Sequence, residues 1–204
     1  MFVDLIDRLR CPNDHADTWL VAAVTRTEDR RLIDATFGCP ECHAEFELRD
    51  GELSFGPRVE RAPMPASDDE AMRAAALLRL EERGLYLLDG GWGSLADALQ
   101  GVLDVDVMLA DAPATGVTRD AGQGTLRGIG DRWPFAGSSL HGIALDRATP
   151  ARTADAVRVL RPGGRLVAPA HVAVPAGVRE LARDERHWVA EKVGDVIPLG
   201  RAKR

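Results

Sequence analysis

The chain is short of cysteine, lysine and tyrosine: 204 residues include three cysteines, two lysines (Lys192 and Lys203) and one tyrosine. Three cysteines do not make the paired framework of a small secreted domain, and two of them stand as Cys39-x-x-Cys42, a spacing that suits a metal ion in a reducing compartment. No apolar run approaches the roughly 20 residues of a membrane-crossing helix. Met1-Phe2-Val3-Asp4 lacks the charged-then-apolar pattern of a secretory leader. A cytoplasmic protein with no membrane partner is therefore expected. Positive charge is also missing from one end. The net charge is −6, and residues 1–57 carry all of it, with 12 acids against 6 Lys+Arg, while residues 58–204 balance at 20 and 20. Phosphate binding needs Lys and Arg to displace counterions, so an acidic front end argues against nucleic acid as a partner. At 45% hydrophobic the chain can still bury a substantial core, and its length suits one domain with a small appendage.

Residues 1–57 have the pattern of a zinc ribbon. Leu5, Ile6 and Leu9 sit at helical spacing before Cys11-Pro12-Asn13-Asp14-His15. Strand-like runs follow over 19–24, 31–37, 44–48 and 51–55, broken by polar turns. The second run delivers Gly38-Cys39-Pro40-Glu41-Cys42. Tetrahedral zinc takes thiolate or imidazole ligands from paired short spacings, because a turn of a few residues presents both to one ion. Cys39 and Cys42 form one pair, and Cys11 with His15 forms the other. Asp14 is the rival fourth ligand and His43 a remoter one; imidazole suits a closed structural site better than a hard carboxylate. The alternative is a redox-active Cys39/Cys42 with Cys11 an ordinary buried thiol. That chemistry expects a helix after the motif, and here the flanks have strand patterns. Four protein ligands leave no open position for water, so the site is structural, and a segment this short usually needs a metal to fold.

Gly56-Pro57 to Ala66 has the composition of an extended, proline-stiffened connector (58–67). Ser67-Asp68-Asp69-Glu70 is a capping box, predicting a helix from Asp68 to about Arg83 that stops at Gly84. Strand and helix signals then alternate over 68–204: buried strands at 85–88, 105–110, 125–129 and 140–145, a helix at 151–160, a fifth strand after Arg161-Pro162-Gly163-Gly164, a helix at 176–183, and an antiparallel pair from 187–193 and 196–199. The expected class is α/β, a mostly parallel sheet with helices on both faces. Its ligand would bind at the carboxyl ends of the strands near the switch point. The centre of this pattern is Leu85-Tyr86-Leu87-Leu88-Asp89-Gly90-Gly91-Trp92-Gly93-Ser94-Leu95, an apolar run that stops at an acid and spaced glycines before a helical stretch. Glycines allow a ligand close to the backbone, and the turn offers free N–H groups.

Two resemblances follow from these motifs. The ribbon with Phe46-Glu47-Leu48-Arg49-Asp50-Gly51 resembles the small zinc-ribbon proteins that activate tRNA, ribosomal RNA and release-factor methyltransferases, and its Cys-Pro-x-x-His knuckle is similar to that of ribosomal RNA guanine-N1 methyltransferases. The second domain resembles the class I S-adenosylmethionine-dependent methyltransferases. Its Leu-Leu-Asp-Gly-Gly-Trp-Gly looks like their first motif, Asp131-x-x-Pro134-Phe135 with Ser138-Ser139-Leu140 like their Asp-x-Leu-Pro-Phe-x-x-x-Ser-Phe-Asp segment, and Val159 to Leu166 like their Leu-Lys/Arg-Pro-Gly-Gly turn. The resemblance implies S-adenosylmethionine as cofactor, with Asp89, Gly91 and Gly93 beside its methionine moiety, Asp111 on the ribose hydroxyls and Asp131 facing the adenine amine. Each acid also has a plainer role as a solvated or capping strand-end residue.

The departures matter too. Leu95 stands at the family's third glycine, where its side chain is expected to crowd the ligand space or reopen the turn, and Trp92 adds bulk beside it. Residues 112–124 are too rich in Pro and Gly for the expected helix. Asp146-Arg147-Ala148 replaces the box with which relatives hold planar amines. No catalytic base stands out; His141 and His171 are within reach by position. Two functions follow as expectations: a methyltransferase acting on a small molecule or protein by in-line displacement, or a non-catalytic pseudo-methyltransferase that holds a protein partner through the ribbon. A redox or metal-sensing role for Cys39/Cys42 is a third.

Overall fold

The computed structural model describes residues 1, 3–81, 83–113 and 123–194. In chain order it forms β1 (Val21–Glu28), β2 (Arg31–Gly38), β3 (Glu45–Arg49), β4 (Glu52–Ser54), α1 (Asp68–Leu78), β5 (Leu85–Asp89), α2 (Ala96–Val102), β6 (Asp106–Ala110), β7 (Gln123–Arg127), β8 (Leu140–Ala144), α3 (Pro150–Val159), β9 (Leu160–Pro169), β10 (Val178–Arg183) and β11 (His187–Lys192), with 3-10 turns at Val3–Arg8 and Gly90–Leu95. These strands make one sheet in the order β1-β2-β3-β4-β7-β6-β5-β8-β9-β11-β10. The middle, from β4 through β9, is parallel throughout. From β5 the chain moves outward to β6 and β7, then returns past β5 to β8 and β9. That reversal is the switch point of a doubly wound sheet, and it lies at the carboxyl ends of β5 and β8.

The apolar run at 85–88 explains why β5 sits in the centre. All five residues of β5 are buried. Leu85 and Leu87 face one core with Ala156, Val157 and Val159 of α3, while Tyr86 and Leu88 face the other with Ala74 and Leu78 of α1 and Leu99 of α2. A strand covered on both faces needs apolar side chains at every position. Leu95 and Trp92 belong to this second core. Leu95 is therefore absorbed by packing and does not enter the ligand space the sequence pattern assigned it to.

The ribbon does not stand apart from this sheet. β4 pairs with β7 through Glu52↔Thr125, Leu53↔Leu126 and Ser54↔Arg127, and the Phe55 amide donates to the Arg127 carbonyl at 2.9 Å. Gly128 adopts φ +67°, and a Cβ there would collide with the Gly56 backbone. Glycine is needed at this crossing for both reasons. Below it, Leu32, Phe37, Leu48 and Leu53 share one core with Leu126, Phe135 and Leu140. The segment before Cys11 completes the joint, since the Arg10 amide donates to the Pro134 carbonyl (3.0 Å) and the Ala136 amide to the Arg8 carbonyl (2.8 Å).

Three expectations are corrected. First, α1 ends at Leu78, with Arg79 in the left-handed conformation at φ 50°. The Tyr86 hydroxyl accepts the Glu81 amide (2.7 Å) and donates to the Arg79 carbonyl (3.2 Å), tying the exit of the helix to β5 before Gly84 is reached. At its start Ser67 Oγ accepts the Glu70 amide at 3.3 Å, but the Glu70 carboxylate pairs with Arg186 rather than reaching back. Second, residues 178–183 are a strand and not a helix. As an almost wholly exposed edge strand, β10 carries no core-facing period for a sequence pattern to reveal. Third, 187–192 pairs with β9 and β10, while 196–199 lies outside the described residues. No helix among the described residues is long and apolar enough to cross a membrane.

Candidate functional site

Two clusters collect the residues singled out by sequence. The first is Cys11, His15, Cys39 and Cys42, whose ligand atoms all lie within 4.8 Å of one another. Cys11 and Cys42 sulfurs are 3.7 Å apart and Cys39 Sγ is 3.5 Å from His15 Nε2. Zinc bonds in a tetrahedron imply about 3.8 Å between sulfurs and about 3.6 Å from sulfur to nitrogen. Both separations are close to those of a tetrahedral zinc site. The surrounding bonds fix the ligands: His15 Nδ1 faces the Ala16 carbonyl (2.7 Å) and the Glu41 carboxylate (3.3 Å), leaving Nε2 for the ion. Thr18 Oγ1 donates to the same Glu41 oxygen (2.8 Å), and Arg132 donates to the Asn13 carbonyl (2.9 Å), tying the knuckle to the segment that precedes β8. Asp14 and His43 are outside the group. Burial pushes the Cys11 thiol up to about 12. The Ala44 amide, then the Asn13 side-chain amide at 3.3 Å from Sγ, draw Cys42 down to about 6.

The second cluster is the glycine corner at the ends of β5 and β8. Asp89 is fully buried. One of its oxygens accepts from Arg152 at 2.7 Å, and the other accepts the amides of Asp146 (3.2 Å) and Arg147 (3.4 Å). Burial pushes the Asp89 carboxyl above its usual range, and Arg152 with those amides opposes the push. Arg152 also donates to the carbonyls of Ile129 (2.8 Å) and Gly130 and stacks 4.0 Å from the Trp133 ring. The Gly91 amide donates to the Asp146 carboxylate at 3.2 Å. On the opposite side the connector crosses it, where a Cβ on Gly91 would lie 3.0 Å from the Ala62 carbonyl oxygen. Gly93 packs on Ala112, whose Cβ would be 2.6 Å from an added one. Trp92 turns inward, its Nε1 donating to the Leu145 carbonyl at 3.3 Å.

The remaining acids are spread out. Asp111, at φ 48° past the end of β6 and 1% exposed, accepts the Gly128 amide at 2.6 Å and the Ile129 amide at 3.3 Å. Asp131 is exposed and accepts from Thr149 Oγ1 at 2.7 Å. Between the connector and Ala112–Pro113 lies a cavity of about 250 Å³, lined also by Arg58, Val59 and Arg61. His141 Nδ1 accepts the Leu85 amide at 3.1 Å inside the sheet, and His171 lies exposed in the turn after β9. Arg152 and Asp146 are the site residues that sequence reasoning missed. The Arg152 side chain meets Asp89, 63 positions away, and the Asp146 side chain meets Gly91, 55 positions away.

The strand order defines the class: a doubly wound, Rossmann-like α/β sheet, with a cysteine–histidine cluster at its N-terminal end that could hold a metal ion. No family model matches the chain, and no curated protein matches it. Among solved structures it is similar to a chain of the complex between the Haloferax volcanii Trm112 methyltransferase activator and its candidate methyltransferase, at 15% identity and a TM-score of 0.48 over 62% of this chain and 92% of that one. It is also similar to a protein of Methanococcus maripaludis assigned as an S-adenosylmethionine-dependent methyltransferase (11%, 0.46, 64% and 86%). A third is the geranyl diphosphate C-methyltransferase of Streptomyces coelicolor A3(2), solved with S-adenosyl-L-homocysteine (15%, 0.41); the chain covers 42% of its length. The doubly wound order is a property of this chain's own pairing and does not depend on those likenesses.

Proposed function

We propose that the chain is a non-catalytic, pseudo-methyltransferase module, folded around a structural zinc ion and acting as a binding partner. The observation that carries this is the state of the corner. Asp89, the Gly91 amide and Asp111, the groups that the family resemblance assigns to the cofactor, are bonded to Arg152, to Asp146 and to the Gly128 and Ile129 amides. Backbone at 62–64 lies directly against Gly91, within 3.4 Å of where a Cβ would stand. As they stand these residues do not fit S-adenosylmethionine. The zinc ligands do fit their ion, and four protein ligands leave that ion no open position for chemistry.

A protein partner that pairs with the ribbon has β1 left to meet, because β4 is taken by β7. The enzyme reading keeps one feature in its favour, the cavity beside Ala112 and Pro113. Calorimetric titration of the zinc-loaded protein with S-adenosylmethionine and S-adenosylhomocysteine separates the two. The expected result is no binding heat at millimolar ligand. Micromolar binding that disappears in Asp111→Ala would instead return the chain to the small-molecule or protein methyltransferases.

A further inference from the structure

The corner is not merely blocked; it is occupied by chemistry that mimics a ligand. An acid at a strand end and a free amide on the following turn are the two groups that would hold an α-amino acid moiety, the acid on its ammonium and the amide on its carboxylate. Here Arg152 supplies the cation to Asp89 at 2.7 Å, and Asp146 supplies the carboxylate to Gly91 at 3.2 Å. The two halves are linked, since the Asp146 amide donates to the second oxygen of Asp89 at 3.2 Å. The position of Asp146 is fixed by its neighbour as well, the Leu145 amide bonding to Val167 (2.9 Å) and the Leu145 carbonyl accepting from Trp92. Gly90, at φ +57°, leaves the space that the Asp146 carboxylate fills; any Cβ there would collide with it.

We propose that Asp146 is the built-in occupant of this corner, the residue that excludes a ligand bearing an α-amino acid group, with the 62–64 backbone as its cover. The proposal rests on the closed-corner reading above and names what closes it. Arg152 is the less useful point of attack because it also holds the Ile129 and Gly130 carbonyls. Asp146 is only part-buried, and among the described residues the side-chain hydrogen bond at stake is that to Gly91.

The test is titration of wild type, Asp146→Asn, Asp146→Ala, and Asp146→Ala with Pro63→Gly and Pro65→Gly, using S-adenosylhomocysteine and S-adenosylmethionine as probes. Hydrogen exchange at the Gly91 amide is followed in the same proteins. Asparagine keeps an acceptor of the same size, so it is expected to stay closed. Alanine vacates the space, and affinity is expected to rise at least about tenfold over wild type, further when the two glycines loosen the cover, with faster Gly91 exchange. If Asp146→Ala fails to fold, Asp146→Ser takes its place. Folded alanine and triple variants with no gain in affinity overturn the proposal while leaving the closed corner standing. Micromolar binding by the wild-type protein overturns both.

Discussion

The two polar clusters of this protein are built by opposite rules. At the ribbon, three thiols and an imidazole converge, and the groups around them hold the ligands without neutralising them: a carbonyl and a carboxylate orient His15, and an amide and an asparagine draw Cys42 toward thiolate. Sulfurs this close, two of them buried, cannot all ionise unless a cation lies between them. At the glycine corner each acid and amide already has a partner of the right kind within the chain. A cluster left short of charge calls for a ligand from outside, whereas a cluster balanced internally turns one away. Conformity to a motif does not distinguish them; the partners of each atom do.

The largest effect that would break the comparison is loss of the metal. Chelation, or Cys39→Ser, is expected to unfold the ribbon, because structural zinc contributes roughly 10–16 kcal/mol of apparent binding free energy in small zinc domains and little of that is replaced when a ligand is removed. The core that Phe37 and Leu53 share with Leu126 and Phe135 should then open as well. One zinc per chain by metal analysis, and a melting transition that falls sharply with chelator, is the expected outcome. A chain that melts identically with and without metal would make the cluster an ordinary set of thiols.

Next in size is the corner's own balance. Arg152→Ala would leave Asp89 buried without its cation and two carbonyls without their donor, a change expected to cost about 3–5 kcal/mol in urea unfolding. Arg152→Met with Asp89→Asn should recover part of it, since the uncompensated charge is gone. If Arg152→Ala is instead as stable as wild type, the ion pair does not hold the corner, and the contrast with the ribbon loses its basis.

How much of this was legible in the sequence follows from the distance between partners. The four side chains that converge come in local pairs, so spacing offered them, and the preference of a closed site for imidazole over carboxylate chose His15 over Asp14. Buried runs such as 85–88 and 107–110 announced the parallel sheet because a strand covered on both faces has to be apolar throughout. The strand at 178–183 was hidden because exposure erases its period. The end of α1 was hidden because a tyrosine hydroxyl in the next strand decides it. The closure of the corner depends on Arg152 and Asp146, both far along the chain from Asp89, and nothing near either residue marks it as a partner. Leu95 was a misleading local signal. Its position in a motif suggested intrusion, while its neighbours drew it into the core.

The smallest predicted effect concerns pH and tests whether the sheet beside the corner is held by neutral groups. His141 Nδ1 accepts the Leu85 amide, which only the neutral imidazole can do, and burial with nearby Arg161 lowers its pKa. His187, packed edge-on to Trp92 at 4.9 Å, is lowered by burial and Arg73. A histidine whose pKa is depressed on folding binds fewer protons folded than unfolded, so its stabilisation is fully present above the ordinary value of about 6.5 and is lost as pH falls toward the depressed one. Stability measured by urea unfolding should therefore decline as pH falls through this range. The side-chain oxygen of an asparagine can accept the same amide without titrating, so His141→Asn should flatten part of that decline while leaving stability above the range nearly unchanged. A variant with the full wild-type slope would assign the pH dependence to His187 and the carboxylates, and would leave His141 as a hydrogen-bond acceptor whose charge state the fold does not feel.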